Sequence, residues 1–103
     1  MSDADGQGGA DGADPIRRSV TIRNKRGLHA RASAKFVKLA ATFDAEVTVT
    51  KDGSTVDARS IMGLMMLAAG PGSRITIRAE GAEAQAAVEA LAELVANRFE
   101  EDR

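Results

Sequence analysis

The chain has 103 residues, enough for one domain with a single core. It contains no cysteine, which excludes a disulfide scaffold and is typical of a reducing cytoplasm. No apolar run approaches the length of a membrane span, and no signal-peptide pattern begins the chain. The sequence therefore predicts a soluble cytoplasmic protein without membrane insertion.

The formal net charge is only −1, but the charges are unevenly distributed. Residues 1–15 contain four aspartates and no basic residue, and a long basic region follows before the next acid, Asp44. The basic residues of this region are Arg17, Arg18, Arg23, Lys25, Arg26, Arg31, Lys35 and Lys38. Such a region attracts an anionic group or an acidic partner, although a solvated charged surface is the alternative.

Residues 1–15 are rich in glycine, aspartate and alanine. This composition cannot bury enough apolar surface to offset the entropy of ordering, so it predicts a disordered tail. The remaining residues, 16–103, are then the folded domain.

The folded part begins with a predicted strand from Arg17, in which apolar Val20 and Ile22 alternate with polar residues. Residues 24–27 have turn composition. The spacing then changes to that of a helix, which we expect to run from His29 to about Phe43. Its apolar face is predicted to contain Ala32, Phe36, Leu39, Ala40 and Phe43.

Two further strands are predicted at residues 46–50 and 54–58, joined by a tight hairpin at Asp52-Gly53. Ser60 is a favourable N-cap for a short apolar helix, which ends before the glycines and proline of residues 70–72. Leu64 and Leu67 of this helix are expected to face the core.

A fourth strand is predicted at residues 74–79, and a long amphipathic helix follows from Ala84 to Phe99. The element order is β-α-β-β-α-β-α. This order predicts a two-layer α+β domain with a mostly antiparallel sheet, although a ferredoxin-like split β-α-β arrangement begins in the same way.

His29 is the only histidine and lies where the first helix is expected to begin. Free backbone N–H groups and a partial positive charge at a helix start favour a bound anion. Arg31 adds a guanidinium that matches phosphate oxygens. The pattern predicts a site that holds a phosphoryl group on nitrogen, and a surface or capping histidine is the alternative.

Two motifs carry a family resemblance, and both lie at the expected starts of helices. Residues 27–31, Gly-Leu-His-Ala-Arg, and residues 60–64, Ser-Ile-Met-Gly-Leu, resemble those of HPr, the phosphocarrier family of the bacterial phosphoenolpyruvate-dependent phosphotransferase system. The resemblance extends from Arg17 onward. It implies an open-faced β-sandwich, in which three helices cover one face of a four-stranded antiparallel sheet.

The resemblance also implies a role for each matching residue. His29 would accept a phosphoryl group from phosphorylated enzyme I on Nδ1 and pass it to a IIA-type protein, with Arg31 stabilising the phosphate. Ser60 would be a regulatory site for an HPr kinase/phosphorylase. Three exposed apolar residues would contact partners: Ile61, Met62 and Met65.

Ala32 departs from the family pattern, which commonly has proline at this position. Proline suits the first turn of a helix and lacks an N–H, whereas alanine keeps one. The departure weakens assignment to a sugar-uptake branch relative to a regulatory, nitrogen-related branch, and the choice between the two branches stays open.

The resemblance implies a phosphoryl carrier and not an enzyme. One histidine and no cysteine do not make a transition-metal site, and no GxxxxGK loop is present to bind a nucleotide. We therefore expect no metal and no cofactor. A carrier that meets several partners in turn is expected to be a monomer.

Two other functions compete with this interpretation. The basic region would suit a small nucleic-acid-binding domain, but all three aromatic residues are predicted to lie on buried helical faces. A ligand-sensing domain of ferredoxin-like topology, with an incidental His29, is the second.

Some of the site residues also have simpler structural roles open to them. Ser60 could serve only as an N-cap, and Met62 and Met65 could pack in the core.

Overall fold

The computed structural model describes residues 14–101. Its strands and helices are β1 (Ile16–Thr21), α1 (Ala30–Ala40), β2 (Glu46–Lys51), β3 (Ser54–Asp57), α2 (Ile61–Met66), β4 (Arg74–Glu80) and α3 (Ala84–Ala96), followed by a short turn of 3-10 helix at Arg98–Glu100. The predicted element order is confirmed. Of the predicted disordered tail, only Asp14 and Pro15 lie within the described residues.

The four strands form one sheet in the order β1-β4-β2-β3, and every neighbouring pair is antiparallel. A split β-α-β unit would require a parallel pair, so the ferredoxin-like alternative is wrong. The long-range pairing places Val20 opposite Ile75 and Val49 opposite Ile77. This register puts the apolar residues of the strands on one face.

The helices cover that apolar face of the sheet. α3 packs on β1 and β4, and α1 packs on α2 and α3. The largest fully buried side chains include Phe36 and Phe99 from the helical layer and Ile75 and Ile77 from the sheet. The opposite face carries hydroxyl groups, with a hydrogen bond across β2 and β3 between the Thr50 and Thr55 side chains at 2.7 Å. One covered face and one polar face define the open-faced sandwich.

The predicted hairpin between β2 and β3 is confirmed by its backbone. Asp52 and Gly53 have φ values of 51° and 85°, as a two-residue turn with two left-handed positions requires. Among residues 14–101, no helix is long and apolar enough to cross a bilayer.

The expected end of the first helix, at about Phe43, is wrong by three residues. α1 ends at Ala40, where the Thr42 hydroxyl donates to the Leu39 carbonyl at 2.7 Å and the Phe43 N–H donates to Ala40 at 3.3 Å. Hydroxyl side chains compete in this way with helical hydrogen bonding. Phe43 still packs against the core from this turn, which explains why the apolar spacing continues past the helix.

The prediction that the last helix includes Phe99 is also wrong. α3 ends at Ala96, and the next residues turn through the left-handed region, with φ of 56° at Arg98, 55° at Phe99 and 64° at Glu100. Phe99 is nevertheless fully buried. Spacing alone cannot separate a buried residue on a helix from one in a tight turn that folds back on the same core.

Candidate functional site

The loop before His29 is fixed by contacts with the segment that follows α2. Leu28 N–H donates to the Ala69 carbonyl at 2.9 Å. Gly27 has φ of 63°, and a Cβ atom at this position would overlap that same carbonyl oxygen. Only glycine satisfies both conditions, so Gly27 determines where His29 begins the helix.

His29 is the N-cap of α1, and its ring takes part in the cap. The Arg31 N–H donates to Nδ1 at 3.3 Å, and the Ser33 N–H donates to the His29 carbonyl at 2.9 Å. A nitrogen that accepts a hydrogen bond carries no proton, so the neutral ring in this geometry has its proton on Nε2. Nδ1 therefore presents its lone pair to the positive end of the helix.

The other ring nitrogen contacts Glu101, a residue that we did not predict from the sequence. Nε2 lies 2.6 Å from Oε2 of Glu101, and the two side chains are 19% and 13% exposed. Asn24 Nδ2 donates to Oε1 of the same carboxylate at 3.3 Å. The left-handed turn after α3 brings Glu101 to the ring, and the sequence contains no local pattern that indicates such a turn.

The environment of Glu101 favours its ionised form. Partial burial by itself raises the pKa of Glu101, but hydrogen bonds from His29 and Asn24, together with the charges of His29 and Arg26, outweigh it and hold the pKa below its ordinary value. A carboxylate therefore faces the histidine at neutral pH.

Basic side chains surround the ring in an open cavity of about 480 Å³. The residues that line it are Lys25, Arg26, His29, Arg31, Lys35, Glu100 and Glu101. The structure thus brings the predicted Arg31 into the same cavity as His29. Four cationic side chains against two carboxylates make the cavity a favourable place for an anion.

Ser60 is the N-cap of α2, as predicted. Its Oγ accepts a hydrogen bond from the Gly63 N–H at 2.9 Å. Before it, Arg59 forms ion pairs with Asp57 at 3.0 Å and with Glu46 at 3.5 Å. The side-chain and backbone hydrogen bonds of Arg59 hold the pKa of Asp57 below its ordinary value.

The exposed face of α2 is apolar. Met62 is 68% exposed and Met66 77%, while Ile61 and Met65 are each just under two-fifths exposed. We call these four residues the α2 patch. The three predicted contact residues are thus exposed, Met66 extends the set, and Leu64 and Leu67 are buried as expected.

Neither a metal site nor a nucleic-acid interface gains support from the described residues. Within residues 14–101 no three histidine, cysteine, aspartate or glutamate side chains are grouped so as to hold a metal ion. Phe36 and Phe99 are fully buried and Phe43 is half-buried against the core, so no aromatic face is available for stacking on bases.

The fold and the site together define a small antiparallel α+β protein with a histidine at a helix start inside a basic cavity. A family model described as "PTS HPr component phosphorylation site" matches residues 16–97. The chain belongs to the HPr family of phosphotransferase-system components. This membership places it among phosphocarrier proteins and not among enzymes.

Curated relatives agree with this assignment. The chain is 54% identical over 86 residues to the phosphocarrier protein HPr of Cupriavidus necator. The matched region covers 84% of this chain and 97% of the relative. It is 45% identical over 86 residues to the phosphocarrier protein NPr of Shewanella violacea, with 84% and 94% covered. Both HPr and NPr proteins are thus among its relatives.

Solved structures agree on the fold. The structure of HPr-C-His from Thermoanaerobacter tengcongensis superposes with a TM-score of 0.81 at 39% identity, covering 85% of this chain and 99% of that one. The phosphocarrier protein HPr of Bacillus anthracis superposes with a TM-score of 0.77 at 48% identity, covering 81% and 99%. The open-faced sandwich predicted from the resemblance is confirmed.

Proposed function

We propose that the protein carries a phosphoryl group on Nδ1 of His29, taking it from phosphorylated enzyme I and passing it to a IIA-type protein. The observation that carries the proposal is the hydrogen bond from the Arg31 N–H to Nδ1, which leaves the lone pair of that atom at the start of α1 and beside the basic cavity. An unprotonated imidazole nitrogen is a nucleophile at neutral pH without further activation.

The transfer is a direct exchange between two carriers. The Arg31 N–H releases Nδ1, whose lone pair forms a bond to phosphorus while the bond between phosphorus and the donor atom breaks, and the electron pair of that bond stays with the donor. The proton on Nε2 does not move. The Arg31 guanidinium and the free N–H groups of α1 would then face the phosphoryl oxygens.

Stabilisation of the phosphoryl group at this site is moderate, which suits a carrier. The Arg31 guanidinium and the start of α1 would partly neutralise the charge of a phosphate. They would not enclose it, because the cavity is open. Very tight binding of the phosphorylated form would oppose the second transfer. A second exchange of the same kind then delivers the group: an atom of the IIA-type acceptor forms a bond to phosphorus while the bond between Nδ1 and phosphorus breaks, and its electron pair returns to Nδ1.

The surface around the site suits acidic partners with an apolar contact face. Lys25, Arg26 and Lys35 surround His29, and the α2 patch offers adaptable methionine side chains. The protein would meet enzyme I and the IIA-type acceptor in turn, as a monomer in the cytoplasm.

Ser60 is proposed as a regulatory site for an HPr kinase/phosphorylase. A phosphate at the N-terminus of α2 is tolerated by the helix, because the free N–H groups there favour negative charge. The same charge lies at the start of the α2 patch, where it would oppose an acidic partner. Regulation therefore acts on docking and leaves His29 chemically intact.

The test is incubation with phosphoenolpyruvate and enzyme I, followed by phosphorus NMR. Wild type is expected to give an acid-labile, alkali-stable signal, and His29→Ala is expected to give none. Gln85→Ala, on the exposed side of α3, is the control and should match wild type. No signal from wild type, with enzyme I active on another carrier, would contradict the proposal.

The same assay separates the two branches of the pathway. Enzyme I of the sugar-uptake system and its nitrogen-related counterpart are supplied separately, and the initial rate of phosphorylation is compared. The faster donor identifies the branch in which this carrier works.

A further inference from the structure

We propose that Glu101 is a positioning residue for the reaction, holding His29 in the Nε2–H tautomer so that Nδ1 stays unprotonated. The inference rests on the proposed function of His29. It starts from the 2.6 Å contact between Nε2 and the Glu101 carboxylate and from the low exposure of both side chains. A carboxylate can only accept, so the contact requires a proton on Nε2.

The two ends of the ring thereby select the same tautomer. The Arg31 N–H needs an acceptor at Nδ1, and the Glu101 carboxylate needs a donor at Nε2. The Nδ1–H tautomer would lose both hydrogen bonds and place a lone pair against a carboxylate. Loss of the charged hydrogen bond to Glu101 and of the neutral one from Arg31 would both cost free energy. The Nε2–H tautomer is therefore strongly favoured.

The carboxylate itself is held in place from two sides. Asn24, which is 1% exposed, donates from Nδ2 to Oε1 of Glu101 at 3.3 Å and to the Gly27 carbonyl at 2.9 Å. It therefore links Glu101 to the loop that positions His29. One buried amide thus bonds both the Glu101 carboxylate and the loop that precedes His29.

The backbone before Glu101 is strained and well anchored. Arg98, Phe99 and Glu100 all occupy the left-handed region, which is unfavourable for residues other than glycine. Burial of the Phe99 ring and a 2.8 Å hydrogen bond from Lys35 Nζ to the Phe99 carbonyl hold this turn. Strained backbone that is fixed in this way often occurs at functional sites.

The contact also supports the phosphorylated form. Once Nδ1 carries the phosphoryl group and Nε2 keeps its proton, both ring nitrogens are substituted and the ring becomes positively charged. The Glu101 carboxylate at hydrogen-bond distance stabilises that charge. Its removal should therefore lower the rate of acceptance without weakening the docking of enzyme I.

The first measurement is nitrogen-15 NMR of the neutral His29 ring. Wild type is expected to show mainly the Nε2–H tautomer, and Glu101→Ala a clearly larger share of the Nδ1–H form. Glu93→Gln removes a charge on the exposed face of α3, outside the His29 cavity, so it should leave the ratio unchanged. An equal tautomer ratio in wild type and Glu101→Ala would overturn the inference.

The second measurement is the kinetics of phosphorylation by enzyme I. In Glu101→Ala the maximal rate should fall by about tenfold with little change in the half-saturating concentration, as for other residues that orient a reactive histidine. Glu93→Gln makes a similar loss of charge on the exposed face of α3 and should match wild type. Glu101→Asp keeps the charge and should recover part of the rate.

The outcomes distinguish the two proposals. Normal phosphorylation of Glu101→Ala alongside complete loss in His29→Ala would contradict the role of Glu101 and leave the carrier function standing. Absence of phosphorylation in wild type would contradict both. Circular dichroism of each variant confirms folding, and Glu101→Gln replaces Glu101→Ala if the latter is unfolded.

Discussion

His29 and Ser60 occupy equivalent places at the starts of two helices. Each is an N-cap, and each accepts a backbone N–H on the atom proposed to take phosphate: Nδ1 of His29 at 3.3 Å and Oγ of Ser60 at 2.9 Å. Both helix starts favour added negative charge. The same local structure is therefore present at both positions proposed for phosphorylation.

The two positions differ in what the side chain can do alone. An unprotonated imidazole nitrogen can attack phosphorus directly, whereas a serine hydroxyl needs a base to remove its proton. His29 lies in a basic cavity and is supported by Glu101, while Ser60 adjoins the α2 patch. The proposed roles agree with this difference: His29 would exchange the phosphoryl group directly with other carriers, and Ser60 would need a dedicated enzyme to modify it.

The largest effect is expected from a substitution of Gly27, in the loop that positions His29. Gly27→Ala forces a left-handed alanine and an overlap with the Ala69 carbonyl, so the free energy of unfolding should fall by about 2–4 kcal/mol. His29 would also be displaced, because Leu28 is bonded to that same carbonyl. Urea unfolding and the rate of phosphorylation measure the two effects.

Gly53→Ala is the matched control for that change. Gly53 has φ of 85° but no atom within 4 Å of a Cβ placed there, so only backbone strain is added. The loss should be about 1 kcal/mol, with phosphorylation unaffected. Equal losses in stability for the two variants would show that the contact with Ala69 is unimportant.

Substitution of Ser60 should slow transfer without changing the fold. Ser60→Asp keeps a good N-cap and adds a negative charge beside the α2 patch, so phosphorylation by enzyme I should be roughly tenfold slower at an unchanged melting temperature. Ser60→Asn is the control, since it caps equally well without charge. If Asn slows transfer as much as Asp, charge is not the cause.

A smaller effect is expected for Glu101, in the pH dependence of the free energy of unfolding. Because the pKa of Glu101 is lowered in the folded protein, its stabilisation is present above the ordinary glutamate range and is lost as the pH falls through the lowered value. Wild type should exceed Glu101→Gln by about 1–2 kcal/mol at neutral pH, and the difference should vanish in acid. Urea unfolding across this range measures it, and a difference that grows in acid would contradict the contact.

The corresponding carboxylate near Ser60 should behave differently. The pKa of Asp57 is also lowered by its partner Arg59, but the two side chains are 47% and 62% exposed. Water screens an ion pair of this kind, so Asp57→Asn should show little pH-dependent loss. The two variants thus compare the partly buried contact of Glu101 with the exposed ion pair of Asp57.

Most of the fold could be predicted because local signals agreed with tertiary packing. The turn at Asp52-Gly53, the cap at Ser60 and the start of α1 at His29 each depend on neighbouring residues in the sequence. The helix ends near Phe43 and Phe99 could not be predicted, since both residues are held by the core from turns that continue the helical spacing.

Half of the candidate site depends on contacts that local patterns do not reveal. His29 and Arg31 are close in sequence, but Glu101 is separated from His29 by 72 residues and reaches it only through a left-handed turn. The exposure of Met66 likewise depends on how α2 is set against the core. Prediction of either would require the packed structure.

The place of β1 at the margin of the sheet bears on self-association. An edge strand presents unpaired backbone groups that invite another chain to add to the sheet. Here the first part of that strand carries adjacent Arg17 and Arg18, both exposed, so positive charge projects from both of its faces. A second copy approaching this edge brings the same two guanidinium groups with it. Repulsion between the two pairs disfavours fibre-like stacking along this edge.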